Sequence, residues 1–264
     1  MINIPKSSNE NLSFSLLLPS EETPNTIIFV PGMACNKFGH PFANEPQGVV
    51  ADIVNMSRQN YKILFTDIHD MHADTSKVHT GKTVDFQAEK LAEIFQEAFN
   101  GESPSGRVIF IGQSLGALAI AKFISEVQID ANEIDAIFIA PPTYEGKKCH
   151  ESLTAMFTKN ENTKVDENCI GVLEFGDDQR IVVTGEYWDS IDRNRLSVYS
   201  ESLKEKLKHT LALYAISDKY FSDNEKYLRN VTPDIERFAI SGGSHTFKTD
   251  DMRQQVKNVL QRLL

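Results

Sequence analysis

Short, nearly unbroken apolar runs alternate along this chain with longer segments whose apolar residues recur at helical spacing. The short runs are rich in β-branched and aromatic residues, which is typical of strands. Because they are continuous rather than alternating, they predict strands that are covered on both faces. The predicted strands are residues 12–18, 26–30, 61–66, 107–111, 135–140, 210–216 and 236–240.

The segments between these runs predict amphipathic helices at 48–60, 84–100, 117–127 and 250–264. Strands that alternate with helices indicate an α/β fold with a mostly parallel, doubly wound sheet. In such sheets ligands bind at the carboxyl ends of the strands. Residues that directly follow a predicted strand are therefore the first candidates for a functional site.

The strand at 107–111 ends in the most informative motif of the chain. Residues 112–116 read Gly-Gln-Ser-Leu-Gly, and a helical pattern of small residues follows. This is Gly-x-Ser-x-Gly between a strand and a helix, the context in which the serine of a nucleophile elbow occurs. Glycines allow the strand and helix to approach closely around a tight turn that presents the hydroxyl of Ser114. An N-capping serine in a plain turn is the alternative interpretation.

Two further candidates follow later strands. Asp218 comes just after the strand at 210–216, and His245 lies in the glycine-rich segment after the strand at 236–240. The chain order is therefore Ser114, Asp218, His245. On these residues the sequence resembles the α/β-hydrolase superfamily from about residue 26 to its end, except for a middle insertion. The resemblance implies a catalytic triad of these three side chains.

The loop after the strand at 26–30 also resembles a loop of the α/β-hydrolase superfamily. It reads Pro31-Gly-Met-Ala, and in the resembled superfamily this loop supplies one backbone N–H of the oxyanion hole. Met33 is the expected donor, with Ala34 as the competing register. The second donor is the N–H of Leu115, which opens the helix after the nucleophile. A plain Pro-Gly turn is the alternative.

About seventy residues separate the strands at 135–140 and 210–216, far more than one crossover helix needs. Within them, 171–175 and 179–184 predict a β-hairpin, and 188–208 predicts a helix. We expect a core formed by 1–142 and 208–264, with 143–207 inserted as a cap that resembles the bacterial cinnamoyl and feruloyl esterase-like branch. A surface elaboration or a homodimer contact is the alternative.

Three aromatic residues are candidates for substrate binding. They are Phe38, Tyr187 and Trp188, and the alternative for each is an ordinary core position. A separate segment is rich in aspartate and histidine, whose side chains are ligand types that suit zinc or manganese. These residues are Asp67, His69, Asp70, His72 and Asp74. We favour a hydrogen-bonded loop at the rim of the site over a metal site. His40 is expected to be a solvated loop residue.

Composition narrows the classes of partner and compartment. The net charge of −10 without a basic stripe disfavours nucleic acid and anionic membranes. No apolar run reaches membrane-spanning length, and the first residues do not resemble a secretory signal. Three cysteines without metal-ligand spacing favour a reducing, cytoplasmic location. The expected partner is a small acyl substrate, with a homodimer as a further possibility.

Together these features predict a serine hydrolase that cleaves an ester-type acyl bond and requires no cofactor or metal. Thioesterase, acyltransferase or peptidase chemistry with the same triad stays open, as does a haloperoxidase-like side activity. A receptor or scaffold that keeps the fold without turnover is the alternative from another class. A serine nucleophile disfavours the dehalogenases and epoxide hydrolases, which use a carboxylate there.

Overall fold

The structure is a computed structural model. It describes residues 14–33, 35–38, 45–69, 78–142, 169–175, 179–216, 218, 228, 235–242, 245 and 247–264. Ten strands are described, in chain order β1 (Phe14–Leu17), β2 (Thr26–Val30), β3 (Lys62–Thr66), β4 (Val78–Thr80), β5 (Arg107–Gln113), β6 (Glu133–Ile139), β7 (Cys169–Phe175), β8 (Gln179–Thr184), β9 (His209–Ala215) and β10 (Glu236–Ile240).

Seven of these strands form the main sheet in the order β1-β3-β2-β5-β6-β9-β10. All neighbours are parallel except β1, which pairs antiparallel with β3 at one edge. The chain moves from β2 to β3 on one side and then returns to β5 on the other side of β2. The carboxyl ends of β2 and β5 therefore flank the point where the strand order reverses, which is where doubly wound sheets bind ligands.

Helices cover both faces of this sheet. They are α1 (Gly48–Ser57), α2 (Val84–Ala98), α3 (Gly116–Glu126), α4 (Gly185–Arg193), α5 (Ser200–Lys206) and α6 (Asp250–Leu260), with a 3₁₀ turn at Leu196–Tyr199. Successive strand residues point to opposite faces. In β2, Ile27 packs with α1 and α6 on one face, while Ile28 packs with α2 and α3 on the other. The predicted mostly parallel doubly wound sheet is confirmed.

Threonines begin three of the helices. The hydroxyls of Thr83, Thr184 and Thr249 accept backbone N–H groups of the first turns of α2, α4 and α6. The helix predicted over 188–208 is wrong as one element, because α4 ends at Arg193 and a 3₁₀ turn precedes α5. At this break the side chain of Asn194 donates to the carbonyl of Ser190, 2.8 Å away, and so competes with helix continuation.

A second, three-stranded sheet has the order β4-β8-β7. It contains the predicted hairpin, in which β7 and β8 pair antiparallel, and β4 adds to β8 in parallel. The helix that follows the hairpin, α4, packs on α2, where Ser190 accepts the N–H of Val84 at 2.7 Å. The insertion then runs along α3, and Lys206 donates to the carbonyl of Ile124 at the end of that helix, 2.6 Å away.

The described part of the insertion shares its apolar core with the body of the fold. Its residues Ile181, Tyr187 and Leu203 belong to the same buried cluster as Leu91 of α2 and Ile120 of α3. The division into a core and a cap at 143–207 stays a prediction, since residues 143–168 lie outside the described part of the chain. Of the helices that the structure describes, none is long and apolar enough to cross a membrane.

Candidate active site

The turn after β5 presents Ser114 at the carboxyl edge of the sheet. Its φ is +50°, in the left-handed region that residues other than glycine rarely adopt. The N–H of Ser114 donates to the carbonyl of Ile139 in β6 at 2.8 Å, which ties the strained turn to the neighbouring strand. Strain that is held in place in this way is common at functional sites.

The two glycines of the motif are required by close packing. A Cβ on Gly112 would lie 2.7 Å from the backbone of Ala117, and one on Gly116 would lie 2.3 Å from the carbonyl oxygen of Val30. Both distances are far below normal contact, so larger residues would push α3 away from the sheet. Close packing of the strand against the helix therefore requires glycine at both positions, as expected from the sequence.

The structure brings Ser114, Asp218 and His245 into one hydrogen-bonded chain. His245 Nε2 lies 3.2 Å from Ser114 Oγ, and His245 Nδ1 lies 2.8 Å from Asp218 Oδ2. The carboxylate accepts, so Nδ1 carries the proton and Nε2 is left to accept from the serine. The Asp218 side chain is 1% exposed and that of His245 is 20% exposed, so the chain leads from the protein interior towards solvent.

The loop after β2 lies against the serine. A Cβ on Gly32 would come within 2.9 Å of Ser114 Cβ, so the backbone here is as close to Ser114 as packing allows. Met33 follows directly. Leu115 is the N-cap residue of α3, where backbone amides have no partner within the helix. Ala34, the competing oxyanion donor, lies outside the described residues.

Solved structures with the same architecture are esterases and hydrolases. The chain matches no family model, and no curated protein is similar to it in sequence. The esterase domain of a Rhodothermus marinus protein is similar in structure at 16% identity and a TM-score of 0.61, over 99% of this chain and 97% of the other. Est1E from Butyrivibrio proteoclasticus is similar at 12% identity and a TM-score of 0.62, over 98% of both chains.

A third neighbour, the α/β hydrolase GrgF from Penicillium sp. sh18, is similar at 14% identity with a TM-score of 0.63, over 98% of this chain and 94% of the other. Identities this low establish the architecture and not the activity. The chain has the α/β-hydrolase fold. The finer resemblance to the cinnamoyl and feruloyl esterase-like branch stays a prediction.

Tyr187 and Trp188 lie in the first turn of α4, and Tyr187 contacts the loop after β2. The hydroxyl of Tyr187 points at the sulfur of Met33, 2.6 Å away, and its ring packs edge-on against Trp188. Both side chains are buried, at 1% and 6% exposure. The insertion therefore reaches the candidate site through Tyr187, although contact with a substrate stays a prediction.

Phe38 lies on the other face of the sheet, in the cluster with α1 and α6. Its ring packs edge-on against Phe65 of β3 at 5.6 Å between centroids, and it is 4% exposed. This is the environment of a core residue. Its predicted role in substrate binding gains no support from this packing.

The acidic and histidine-rich segment at 67–74 is described only as far as His69; Asp70, His72 and Asp74 lie outside the described residues, as does His40. Asp67 and His69 are buried. Burial lowers the pKa of His69 to about 4, although the backbone of Pro31 and Gly32 acts in the opposite direction. The sequence marked this histidine as a loop or metal residue and gave no sign that it is buried.

Among the described residues, one group of side chains has ligand atoms close enough for a metal ion, namely Glu133, Asp135 and His209. It lies at the amino ends of β6 and β9, across the sheet from Ser114. Arg107 and Lys208 already pair with its carboxylates, so the group is an ion-pair cluster.

Cys35, in the loop after β2, is a free thiol. Burial raises the pKa of this thiol to about 12, which makes it a poor nucleophile.

Proposed function

We propose that this protein is a serine hydrolase that cleaves an ester-type acyl bond through Ser114, His245 and Asp218. The observation that carries the proposal is the continuous hydrogen-bonded chain from Asp218 through His245 to Ser114. It stands beside the strained turn that presents the serine and the glycine-lined loop that abuts it. The esterases among the structural neighbours are consistent with this chemistry.

In the first half of the reaction, Ser114 Oγ attacks the acyl carbonyl while its proton passes to His245 Nε2. Asp218 accepts a hydrogen bond at Nδ1, fixes the tautomer and stabilises the imidazolium. The imidazolium then gives its proton to the leaving alcohol, and an acyl-enzyme remains. In the second half, His245 takes a proton from water as the water attacks, and returns it to Ser114 as the acid departs.

The oxyanion that forms in each half is proposed to accept from the backbone N–H groups of Leu115 and Met33. Both belong to segments packed against Ser114, so the donors need little reorganisation when charge develops. The loss of one such donor typically costs about 3 kcal/mol, about a hundredfold in rate. No step in this scheme calls for a metal or an organic cofactor.

Labelling with a fluorophosphonate probe tests the nucleophile directly. The wild-type protein should be labelled and should hydrolyse p-nitrophenyl esters, and Ser114→Ala should abolish both with little change in thermal stability. Ser105→Ala is the matched control, because Ser105 is an exposed loop serine. If the wild-type protein is not labelled by the probe and hydrolyses none of the esters, the proposed hydrolase function is refuted. The alternative of a receptor or scaffold then remains.

The acyl group and the leaving group are proposed to be selected by the insertion at 143–207, acting as a cap. The contact of Tyr187 with Met33 supports this, since it brings α4 to the oxyanion loop. Replacing the insertion with a short linker should change the ranking of a panel of esters and thioesters while Ser114 stays labelled. An unchanged ranking in a folded variant would refute the cap. The same panel separates esterase from thioesterase chemistry.

A further inference from the structure

Tyr187 joins the insertion to the loop after β2. It lies in the first turn of α4, and its hydroxyl donates to the sulfur of Met33, 2.6 Å away. The two residues are 154 positions apart in the chain, so the contact connects two distant segments. A thioether sulfur is a weak acceptor, and here it accepts from a residue that is only 1% exposed.

Packing confines the ring of Tyr187 from two sides. A Cβ on Gly81 would lie 3.0 Å from the ring, and the ring of Trp188 packs edge-on at 5.3 Å between centroids. The N–H of Gly81 donates to the carbonyl of Val182 in β8 at 2.7 Å, which fixes this backbone to the three-stranded sheet. The ring therefore has little room to move, and its hydroxyl occupies a defined position.

The helix that carries Tyr187 is tied to the body of the fold. Ser190 accepts the N–H of Val84 at 2.7 Å, and the Asn194 side chain donates to Asp85 at 3.2 Å. Both partners belong to the first turn of α2, which packs on the main sheet. The position of the Tyr187 hydroxyl is therefore set relative to that sheet.

A turn fixes the backbone of the loop before Met33. The Gly32 carbonyl accepts the Cys35 N–H at 3.1 Å. The Gly32 C=O and the Met33 N–H belong to one peptide group, and they point in opposite directions because the described chain has no cis peptide bond. The unbranched side chain of Met33 is only partly buried and has three rotatable bonds, so the turn alone does not restrain it. The hydroxyl of Tyr187 supplies that restraint.

We propose that Tyr187 is a positioning residue for the oxyanion hole, which pins the side chain of Met33 and so keeps the proposed donor, the Met33 N–H, beside Ser114. This inference rests on the proposed hydrolase. Tyr187 acts through Met33 and not by contact with the substrate, in keeping with its burial. The tight packing of Gly32 on Ser114 supports the proposal, because a small shift of this loop would displace the donor from the serine.

Removal of the hydroxyl alone tests the role. In Tyr187→Phe, which keeps the ring, kcat on a p-nitrophenyl ester should fall about 10-fold, with KM within about threefold of wild type. Binding of a trifluoromethyl ketone, whose adduct places an oxyanion in the hole, should weaken by a similar factor. Tyr61→Phe is the matched control, because it removes a buried hydroxyl that accepts from Arg107, 3.3 Å away, and it should keep the wild-type kcat.

A double-mutant cycle asks whether the two side chains act together. Met33→Leu keeps the backbone N–H and most of the bulk but lacks the sulfur, so its kcat should fall as in Tyr187→Phe. The double variant should lose about 10-fold and not about 100-fold, since both changes remove the same contact. Additive losses would overturn the proposal. A folded Tyr187→Phe variant with wild-type kcat would also overturn it, and a raised KM in that variant would place Tyr187 on the substrate instead.

The methyl group of Met33 supplies a readout that does not depend on activity. Carbon NMR relaxation of protein labelled at its methionine methyl groups should find the Met33 methyl rigid in wild type and mobile in Tyr187→Phe. The signal is assigned by its loss in Met33→Leu. Equal mobility in wild type and Tyr187→Phe would overturn the proposal.

The wild-type protein distinguishes this inference from the function on which it rests. If wild type neither reacts with a fluorophosphonate nor hydrolyses any ester, the hydrolase fails and the positioning role fails with it. If wild type is labelled at Ser114 and Tyr187→Phe is labelled at the same rate, the hydrolase stands and only the role of Tyr187 is overturned.

Discussion

The strands of the main sheet bring the same types of side chain together at their amino ends and at their carboxyl ends, but in different arrangements. We call these two ends of the sheet the amino edge and the carboxyl edge. At the amino edge, Glu133, Asp135 and His209 have polar atoms within 4.8 Å of one another. At the carboxyl edge, Asp218 and His245 meet Ser114. A sequence search for carboxylates and histidines near strand ends would score both places alike.

The difference lies in what each carboxylate pairs with. At the amino edge, Arg107 Nε lies 2.6 Å from Asp135 and Lys208 Nζ lies 2.6 Å from Glu133, so fixed positive charges neutralise the acids. Arg107 also donates to the carbonyl of Leu263, 2.6 Å away, and so joins the end of the chain to the sheet. At the carboxyl edge, the acid hydrogen-bonds an imidazole that in turn reaches a hydroxyl. Only the hydrogen-bonded chain of acid, imidazole and hydroxyl can pass a proton. The chemistry of a carboxylate in this protein therefore depends on the residue with which it pairs, and not on its membership of a polar cluster.

The largest expected effect is on the rate, from a change at the carboxyl edge. Asp218→Asn keeps the shape of the side chain but favours the wrong tautomer of His245, so kcat should fall by about 10⁴-fold. The free energy of unfolding should change by less than about 1 kcal/mol, because the amide replaces a carboxylate without opening a cavity. Ester hydrolysis and urea unfolding measure the two quantities. A variant with near-normal kcat would show that another carboxylate orients His245.

The amino edge should respond in the opposite way. Arg107→Met leaves the Asp135 carboxylate, whose side chain is 0% exposed, without its cation. The free energy of unfolding should fall by about 3–5 kcal/mol in urea titrations. The kcat of the folded fraction should be unchanged.

The matched control for this change is the double variant Arg107→Met with Asp135→Asn. It removes the uncompensated charge and should recover part of the lost stability. A stability loss that persists unchanged in the double variant would show that the Leu263 contact, and not the ion pair, holds this edge.

A smaller effect should appear in the pH dependence of stability, from His69. Its folded pKa of about 4 lies below the usual 6.5, so between these values the unfolded chain binds a proton that the folded chain does not. The free energy of unfolding should therefore fall as pH drops from 6.5 towards 4, by up to about 3 kcal/mol. The pKa values of Asp52 and Asp85 are lowered from 3.8, so those acids act below this window.

Subtracting the stability curve of His69→Asn from that of wild type isolates the histidine, because the variant lacks the titrating ring. Chemical unfolding at a series of pH values measures both curves. Parallel curves between pH 4 and 6.5 would mean that His69 titrates normally and is not held neutral by burial.

The smallest expected effect concerns the attachment of the insertion to the body of the fold. Ser190 is 0% exposed, accepts the N–H of Val84 and donates to Asp85 at 3.2 Å. Ser190→Ala leaves that N–H without its acceptor and should cost about 1–2 kcal/mol in unfolding experiments. Ser197→Ala, at an exposed position of the same insertion, is the control and should stay within about 0.5 kcal/mol. Equal stabilities would show that Ser190 does not anchor α4.

Much of the fold could be predicted because its signals are local. β2 coincides with its predicted strand at both ends, since burial on both faces leaves an unbroken apolar stretch. β10 also has its predicted bounds, although it is an edge strand that begins with Glu236 and Arg237 and is largely exposed. The hairpin of β7 and β8 carries its own turn signal. By contrast, β4 is three residues long and pairs with a strand of the insertion, so nothing local marks it. The break after Arg193 depends on the contacts of the Asn194 side chain, which a helical pattern does not reveal.

The candidate site divides in the same way. The sequence by itself determined the order of strands and helices, the Gly-x-Ser-x-Gly turn, and the three residues that follow strand ends, because a parallel sheet gathers such residues at one edge. Only the tertiary structure decided that Tyr187 meets Met33, that Phe38 packs in the core, and that His69 is buried. These contacts join segments that are distant in the chain, and their geometry depends on packing that no local pattern encodes.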